Sequence, residues 1–305
     1  MTRIWLIAGP TASGKSALAL ALAQATGAEI VGADALQIYR DLPILSAAPR
    51  ADERAGVPHH LIGVADAAEG WSVGRWLTHA RTALAEIAGR NRPVVVVGGT
   101  GLYFKALTEG LAEIPPVPPA MRAGAMAEFA DMGEAAFRAR LSEPDPAAAA
   151  RIFPGDQQRL VRAWSVFAAT GRALSDWQAG TSGGLAPGSW RAVRLDPPRQ
   201  AIYDRCDQRL TTMLDQGVLA EVARLAARNL DQGLPALKAV GYRELAAHLR
   251  GELGLEAALM AAQQETRRYA KRQGTWMRGQ MADWPVISDV DPDGQWRALE
   301  ALMAG

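Results

Sequence analysis

Gly9-Pro10-Thr11-Ala12-Ser13-Gly14-Lys15-Ser16 follows the apolar run Ile4-Trp5-Leu6-Ile7-Ala8 and precedes an Ala/Leu-rich stretch from Ala17 to Ala25. The octapeptide satisfies G-x-x-x-x-G-K-[ST] in full, between a strand and a helix. In that setting backbone N–H groups point into one concavity, and the following helix adds about half a positive charge. Lys15 supplies a mobile cation for terminal phosphates, and the Ser16 hydroxyl is a natural Mg²⁺ ligand. The agreement of loop, lysine, hydroxyl and flanking elements favours a diphosphate cradle over an ordinary glycine-rich turn. The loop alone does not choose the diphosphate, and ATP would also suit it.

Outward from the loop, Glu29-Ile30-Val31 and Val94-Val95-Val96-Val97 are short aliphatic runs bounded by turn residues, as in strands buried on both faces. Helical spacing over Val73 to Ala88 separates them, so strands alternate with helices and an α/β core with a parallel sheet is expected. The pattern changes at Pro115, Pro116, Pro118 and Pro119. From Met121 to Gln178 only helices are expected, among them Gly133–Leu141 and Asp156–Thr170, and the Gly/Ser/Pro stretch 179–188 closes this region. Trp190 to Leu195 returns to strand-like composition, before a helical C-terminal half. The expected organisation is a core of residues 1–113 and 190–305 interrupted by a helical insertion, 114–189.

The chain has 305 residues, 33 Lys+Arg against 32 Asp+Glu, and one cysteine, with 49% hydrophobic positions. That composition excludes a disordered chain, a fibre, a disulfide scaffold and a uniformly basic coat. Cys206 alone allows neither an internal disulfide nor a thiolate zinc site. The apolar start is too short for a signal sequence, and no run approaches the ~20 residues of a membrane span. A soluble cytoplasmic protein is expected, and a monomer, since no heptad or repeat is evident. His59 and His60, in a Pro-led loop, have no ligand-spaced partners and read as structural.

ATPases usually place an acid at the end of a second hydrophobic strand to support Mg²⁺. Val94–Val97 leads instead into Gly98-Gly99-Thr100-Gly101, and the nearest strand-end acid is Asp34, after Ile30-Val31-Gly32-Ala33. Carboxyl ends of parallel strands meet at one crevice, so Asp34, Thr100 and the phosphate loop should converge there. Asp34 reads equally well as a member of that site or as the N-cap of a helix over residues 35–39.

At this point the sequence resembles the tRNA dimethylallyltransferases, also called tRNA isopentenyltransferases. The matching pieces, in the family's order over almost the whole length, are residues 9–16, 33–40, 58–62, 97–103, Ala239-Val240-Gly241-Tyr242-Arg243-Glu244 and 266–276. The resemblance implies a P-loop NTPase-like fold. It also implies Mg²⁺-assisted transfer of a dimethylallyl group from dimethylallyl diphosphate to the exocyclic amine of the adenine 3′ of the anticodon in tRNA. Gly9 to Ser16 would hold the diphosphate, with Ser16 on the metal. Asp34 would act as general base and Thr100 would steady the reacting centre. Arg209 would reach the diphosphate; a solvated arginine on an amphipathic helix is its alternative reading. Asp34, Ala35, Leu36, Gln37 and Thr100 would touch the tRNA, as would Arg122 and the segment Gln158, Arg159, Leu160, Val161, Arg162. Ala35, Ala48 and Gly63 stand where the family usually has Ser, Lys and Asp. A small-molecule kinase transferring phosphate from ATP shares the loop and the core.

An adenine stacked in an RNA loop must be drawn out at a cost of roughly a few kcal/mol, which backbone contacts have to offset. Residues 266–280 carry Arg267, Arg268, Lys271, Arg272 and Arg278 without an acid, interleaved with Tyr269 and Trp276. Arg267/Lys271 and Arg268/Arg272 are i,i+4 pairs able to follow phosphates along a helix. A solvated helical face is the alternative, and the aromatic residues favour RNA.

Overall fold

The computed structural model describes residues 4–304. The outermost positions of the expected core, 1–3 and 305, lie outside it. The elements begin with β1 (Ile4–Ala8), α1 (Lys15–Thr26), β2 (Glu29–Gly32), β3 (His59–His60), α2 (Val73–Gly89), β4 (Val94–Gly98) and α3 (Gly101–Glu109). They continue through β5 (Gly110–Leu111), α4 (Pro119–Ser142), α5 (Pro146–Arg151), α6 (Gln157–Thr170), α7 (Leu174–Ala179) and β6 (Ser182–Gly183). The last are β7 (Trp190–Leu195), α8 (Arg199–Asp215), α9 (Val218–Ala227), α10 (Tyr242–Leu249), α11 (Leu255–Gln280), β8 (Val286–Ile287) and α12 (Pro292–Ala304). Two compact units result: Met1–Ala106 with Leu185–Gly305, and Leu107–Gly184.

The first unit is built on a six-stranded sheet in the order β3-β2-β4-β1-β7-β8, with parallel pairing throughout. The four valines of β4 are buried between two neighbours, which explains their unbroken apolar run. Because β4 lies between β1 and β2, the loops following all three emerge side by side. Gly9 N–H donates to the Gly98 carbonyl (3.3 Å) and Ala33 N–H to the Val97 carbonyl (2.7 Å). A Cβ at Gly98 would lie 2.0 Å from the Ala33 carbonyl oxygen, so only glycine lets these strand ends approach. On one sheet face, Leu18, Ala19 and Leu22 of α1 and Leu299 of α12 pack over Trp5, Ile7, Val95, Val97 and Val193. On α2, buried Trp76 donates its indole N–H to the Gly32 carbonyl (2.9 Å) and stacks on Tyr103 with centroids 4.3 Å apart.

Three local expectations are corrected. Residues 35–38 form turns, not the start of a helix, because the Tyr39–Ala65 bridge draws the chain back into extended geometry. His59 and His60 form the edge strand β3, where the His60 ring meets buried Glu29 (Nε2···Oε2 2.7 Å). The C-terminal half contains β8, paired with β7 from Arg194↔Val286; two residues are too short to leave a pattern.

The second unit is helical around Phe137, Leu141, Leu160, Val161 and Val166. Gly133, at φ 76°, interrupts α4 and gives the chain its bend. Fully buried Asp145 accepts from Ala148 N–H (2.9 Å) and Ser175 N–H (3.1 Å), fixing the starts of α5 and α7. Desolvation opposes its charge, but these hydrogen bonds prevail and hold its pKa below the usual range. The antiparallel pairing of Gly110–Leu111 with Ser182–Gly183 ties the two ends of the unit together.

Candidate active site

Left-handed Gly14 (φ 94°) turns the phosphate loop into α1, and Ser16 stands exposed in the helix's first turn. Lys15 lies buried beneath the loop, its Nζ donating to the Pro10 carbonyl at 3.1 Å. Burial lowers its pKa to about 8, with Arg209 adding to the drop and the charge of Asp34 opposing it. Ser13 Oγ is buried without a hydrogen-bond partner among the described residues, and a Cβ on Gly9 would press on it at 2.6 Å. A loop with an orphan hydroxyl and a desolvated ammonium suits an incoming anion, which would relieve both.

Asp34 caps a turn rather than a helix. Its Oδ1 accepts from Leu36 N–H (3.0 Å) and Gln37 N–H (3.4 Å), capping the turn. A Cβ placed on Gly99 would lie 3.4 Å from Oδ2, so the second oxygen faces the Gly99–Thr100 turn. Thr100 is bound to the same segment twice: its N–H donates to the Ala33 carbonyl (3.1 Å), and its Oγ1 accepts from Ala35 N–H (2.9 Å). A hydroxyl that accepts still has one proton to donate, so Thr100 can also serve as a donor.

Arg209, on α8, is not the solvated arginine of its alternative reading. Its Nη1 donates to Thr11 Oγ1 at 3.1 Å, and desolvation lowers its pKa while Cys206 and Asp34 oppose. Cys206 packs with Ala12, Ile202 and Ala270 under the loop, where burial pushes the thiol up to about 11. Strand order brings Lys15, Asp34 and Thr100 together, and α8 adds Arg209 from outside the sheet.

The basic helix α11 is only partly as expected. Arg268, Lys271 and Arg272 are exposed, Arg268 paired with Glu265. Arg267 is turned to α8 and bound to Asp207 at 2.6 Å, and Arg278 to Asp196 at 3.0 Å. Of the two aromatic residues expected to interleave with the cations, Tyr269 lies under the Arg272 guanidinium, 5.7 Å from its ring centroid, while Trp276 turns inward. A Cβ on Gly101 would lie 2.1 Å from the Trp276 ring, and burial followed by the charge of Asp34 raises the Tyr269 pKa well above the tyrosine range. In the second unit Arg122, Gln158, Arg159 and Arg162 are exposed, and desolvation, then the charge of Arg122, lowers the Arg162 pKa. The helical period buries the side chains of Leu160 and Val161 in the core of that unit. Ala35 contributes its backbone N–H to Thr100, Leu36 is half-buried, and the Gln37 amide donates to Ser46 and Ala47 carbonyls (3.3 and 2.9 Å).

Three side chains absent from the expected site support it. Gln273 Oε1 accepts from Thr11 N–H and its Nε2 donates to the Gly99 carbonyl, both at 2.9 Å. Gln295 Nε2 donates to the carbonyls of Ser13 (2.9 Å) and Asp289 (2.8 Å). Buried Glu221 accepts from Ile44 and Leu45 N–H groups (2.8 Å each), holding the loop whose carbonyls anchor Gln37. Only Gln273 left a signal: Tyr269, Gln273 and Trp276 recur at i, i+4, i+7 inside the basic run, marking an inward face.

A G-x-x-x-x-G-K-S loop beside one carboxylate and one hydroxyl at adjacent strand ends defines an α/β enzyme of the P-loop type. The IPP transferase profile matches residues 37–280, and an isopentenyl transferase profile matches residues 2–63. The chain belongs to the IPP transferase family. The tRNA dimethylallyltransferase of Phenylobacterium zucineum (strain HLK1) is 66% identical over 303 residues, covering 99% of this chain and 98% of that one. That of Caulobacter sp. (strain K31) is 57% identical over 296 residues, covering 97% and 96%. The crystal structure of the tRNA isopentenylpyrophosphate transferase from Bacillus halodurans superposes with TM-score 0.71 at 32% identity, covering all of this chain and 96% of that one. A eukaryotic dimethylallyltransferase acting on tRNA gives TM-score 0.83 over all of this chain and 78% of that one; at 24% identity it speaks to the fold alone. Among the described residues, no helix is long and apolar enough to cross a membrane.

Proposed function

We propose that this protein transfers the dimethylallyl group of dimethylallyl diphosphate to the exocyclic amine of the adenine 3′ of a tRNA anticodon, releasing diphosphate. The observation that carries this reading is the Asp34–Thr100 pair, locked together through Ala35 N–H beside a diphosphate cradle. A neutral adenine amine is a weak nucleophile, and Asp34 Oδ2 is the acceptor for its proton. As the amine nitrogen bonds to the prenyl carbon, the carbon–oxygen bond breaks and its electrons pass to the diphosphate. Lys15, Arg209 and the loop amides stabilise that charge, and Thr100 donates to the leaving oxygen. This favours prenyl transfer over phosphoryl transfer from ATP, the other reaction the loop allows.

Mg²⁺ suits these residues. Ser16 offers an exposed hydroxyl oxygen, and a magnesium ion asks little more of a protein than one or two oxygens beside its substrate's phosphates. Bound there, it would neutralise charge on the departing diphosphate.

The test is to incubate the protein with Mg²⁺, labelled dimethylallyl diphosphate and unmodified tRNA whose anticodon is followed by adenines. Label is expected in the RNA; label that stays out of RNA, or ATP-dependent products alone, removes the reading. The RNA surface on α11 predicts a second result. Lys271→Ala with Arg272→Ala should flatten the log–log salt dependence of tRNA binding by roughly 0.7–0.9 for each phosphate the variant no longer neutralises. Arg267→Ala should change stability more than slope, because Arg267 is committed to Asp207. An unchanged slope in the double variant would return α11 to a solvated face.

A further inference from the structure

The reaction has two ends that must be held at a fixed separation. The accepting end is the turn of Asp34 and Thr100, which holds the amine; the departing end is the phosphate loop, which places the prenyl carbon. A backbone hydrogen bond between Gly9 and Gly98 joins the two at their roots, at 3.3 Å. Further out, where the substrates would meet, one side-chain amide spans them. Gln273 receives Thr11 N–H on its oxygen and gives its own N–H to the Gly99 carbonyl, both at 2.9 Å, and only 7% of its surface is exposed. A Cβ on Gly99 would lie 2.4 Å from this amide nitrogen and 3.4 Å from Asp34 Oδ2, so the amide and the carboxylate converge over that glycine.

We propose that Gln273 is a positioning residue that sets the distance between the Asp34–Thr100 turn and the phosphate loop. This rests on the prenyl-transfer reading above. A primary amide is suited to the task because it is planar, carries a donor and an acceptor a fixed distance apart, and adds no charge beside the diphosphate or the base. The carbonyl of Gly99 immediately precedes Thr100, so the pull of Gln273 is applied one peptide from the hydroxyl that faces the leaving oxygen. Thr11 is held on its other side by Arg209, so its backbone is fixed by α11 and its side chain by α8. Gln295 is the natural comparison: it is also buried and grips the same loop at Ser13, but its other bond goes to Asp289, away from the accepting end.

The experiment measures steady-state transfer and, separately, direct binding of a non-transferring thiolo analogue of dimethylallyl diphosphate and of tRNA, with the full-length protein. Misplacement by an ångström can cost about 100-fold in rate. Gln273→Met should therefore lower kcat by about that factor while both affinities stay within about threefold. Gln295→Met, which loosens the loop alone, should weaken analogue binding. Gln273→Asn keeps both polar groups on a stem one methylene shorter and should reproduce the kcat loss, which serves if the Met variant does not fold. A wild-type kcat in either Gln273 variant overturns the proposal. So does analogue affinity falling in step with kcat, or identical behaviour of the Gln273 and Gln295 variants. Wild-type protein that transfers no label at all removes the prenyl-transfer reading itself, and the proposal with it.

Discussion

Asp34→Asn is expected to lower kcat by about 10³, within the range of a lost general base, while the affinity for a diphosphate analogue at pH 7 is largely kept. The amide preserves the local fold, because asparagine's oxygen still accepts the Leu36 N–H that Asp34 Oδ1 takes at 3.0 Å. What disappears is the oxygen that takes the proton. The choice of pH matters for a reason visible in the charges. Asp34 supports the protonated state of Lys15 against burial. Neutralising Asp34 lets the Lys15 pKa fall further, so at pH 8 the variant should also lose diphosphate affinity. Equal losses of kcat at pH 7 and of affinity at the same pH would show that Asp34 acts as a scaffold. A retained kcat would remove it as the base.

The phosphate loop, the buried strands and the helices flanking them were legible because each obeys one local rule: a loop formula, an aliphatic run, a helical period. So were Asp34 and Thr100, since parallel strands deliver their carboxyl ends to one edge. What escaped was decided by contacts distant in sequence. Nothing near Gln273 says that its amide will meet Thr11 and Gly99, 262 and 174 positions away. Glu221 looks like a surface acid of an amphipathic helix, yet it is 1% exposed and closes the loop at Ile44 and Leu45, where burial raises its pKa. Along α11 a count of cations does not separate one face from another: Arg267 turns to Asp207 and Trp276 packs at Gly101. The family departures are mild in their effect on this geometry. Ala35 contributes through its backbone, which any residue supplies. Gly63 sits at φ 67°, where glycine is unstrained, and still donates to the Gln37 carbonyl at 2.9 Å.

Lys15→Met should lower kcat/KM for dimethylallyl diphosphate by about 10³ and at the same time stabilise the ligand-free protein. Both effects follow from burial of the ammonium, 8% exposed, whose pKa is about 8 in the folded state against 10.5 for the ordinary side chain. A cation held where water is scarce binds the diphosphate strongly, but folding must first desolvate it. Below pH 8 both folded and unfolded chains carry the proton, and the penalty is complete, roughly 3 kcal/mol. Between about 8 and 10.5 the unfolded chain holds the proton more tightly, so this group's contribution to stability rises with pH through that window. Catalysis runs the other way. In the wild type, kcat/KM reports the free enzyme and should be level as pH approaches 8, then fall about tenfold per unit above it as the ammonium is lost. The kcat alone should decline only at higher pH, because bound diphosphate favours the charged lysine. In the Met variant the alkaline limb near 8 should be absent and the melting temperature higher. An alkaline limb that survives the substitution would assign it to another group; a lower melting temperature would show that Lys15 serves the fold of the loop rather than opposing it.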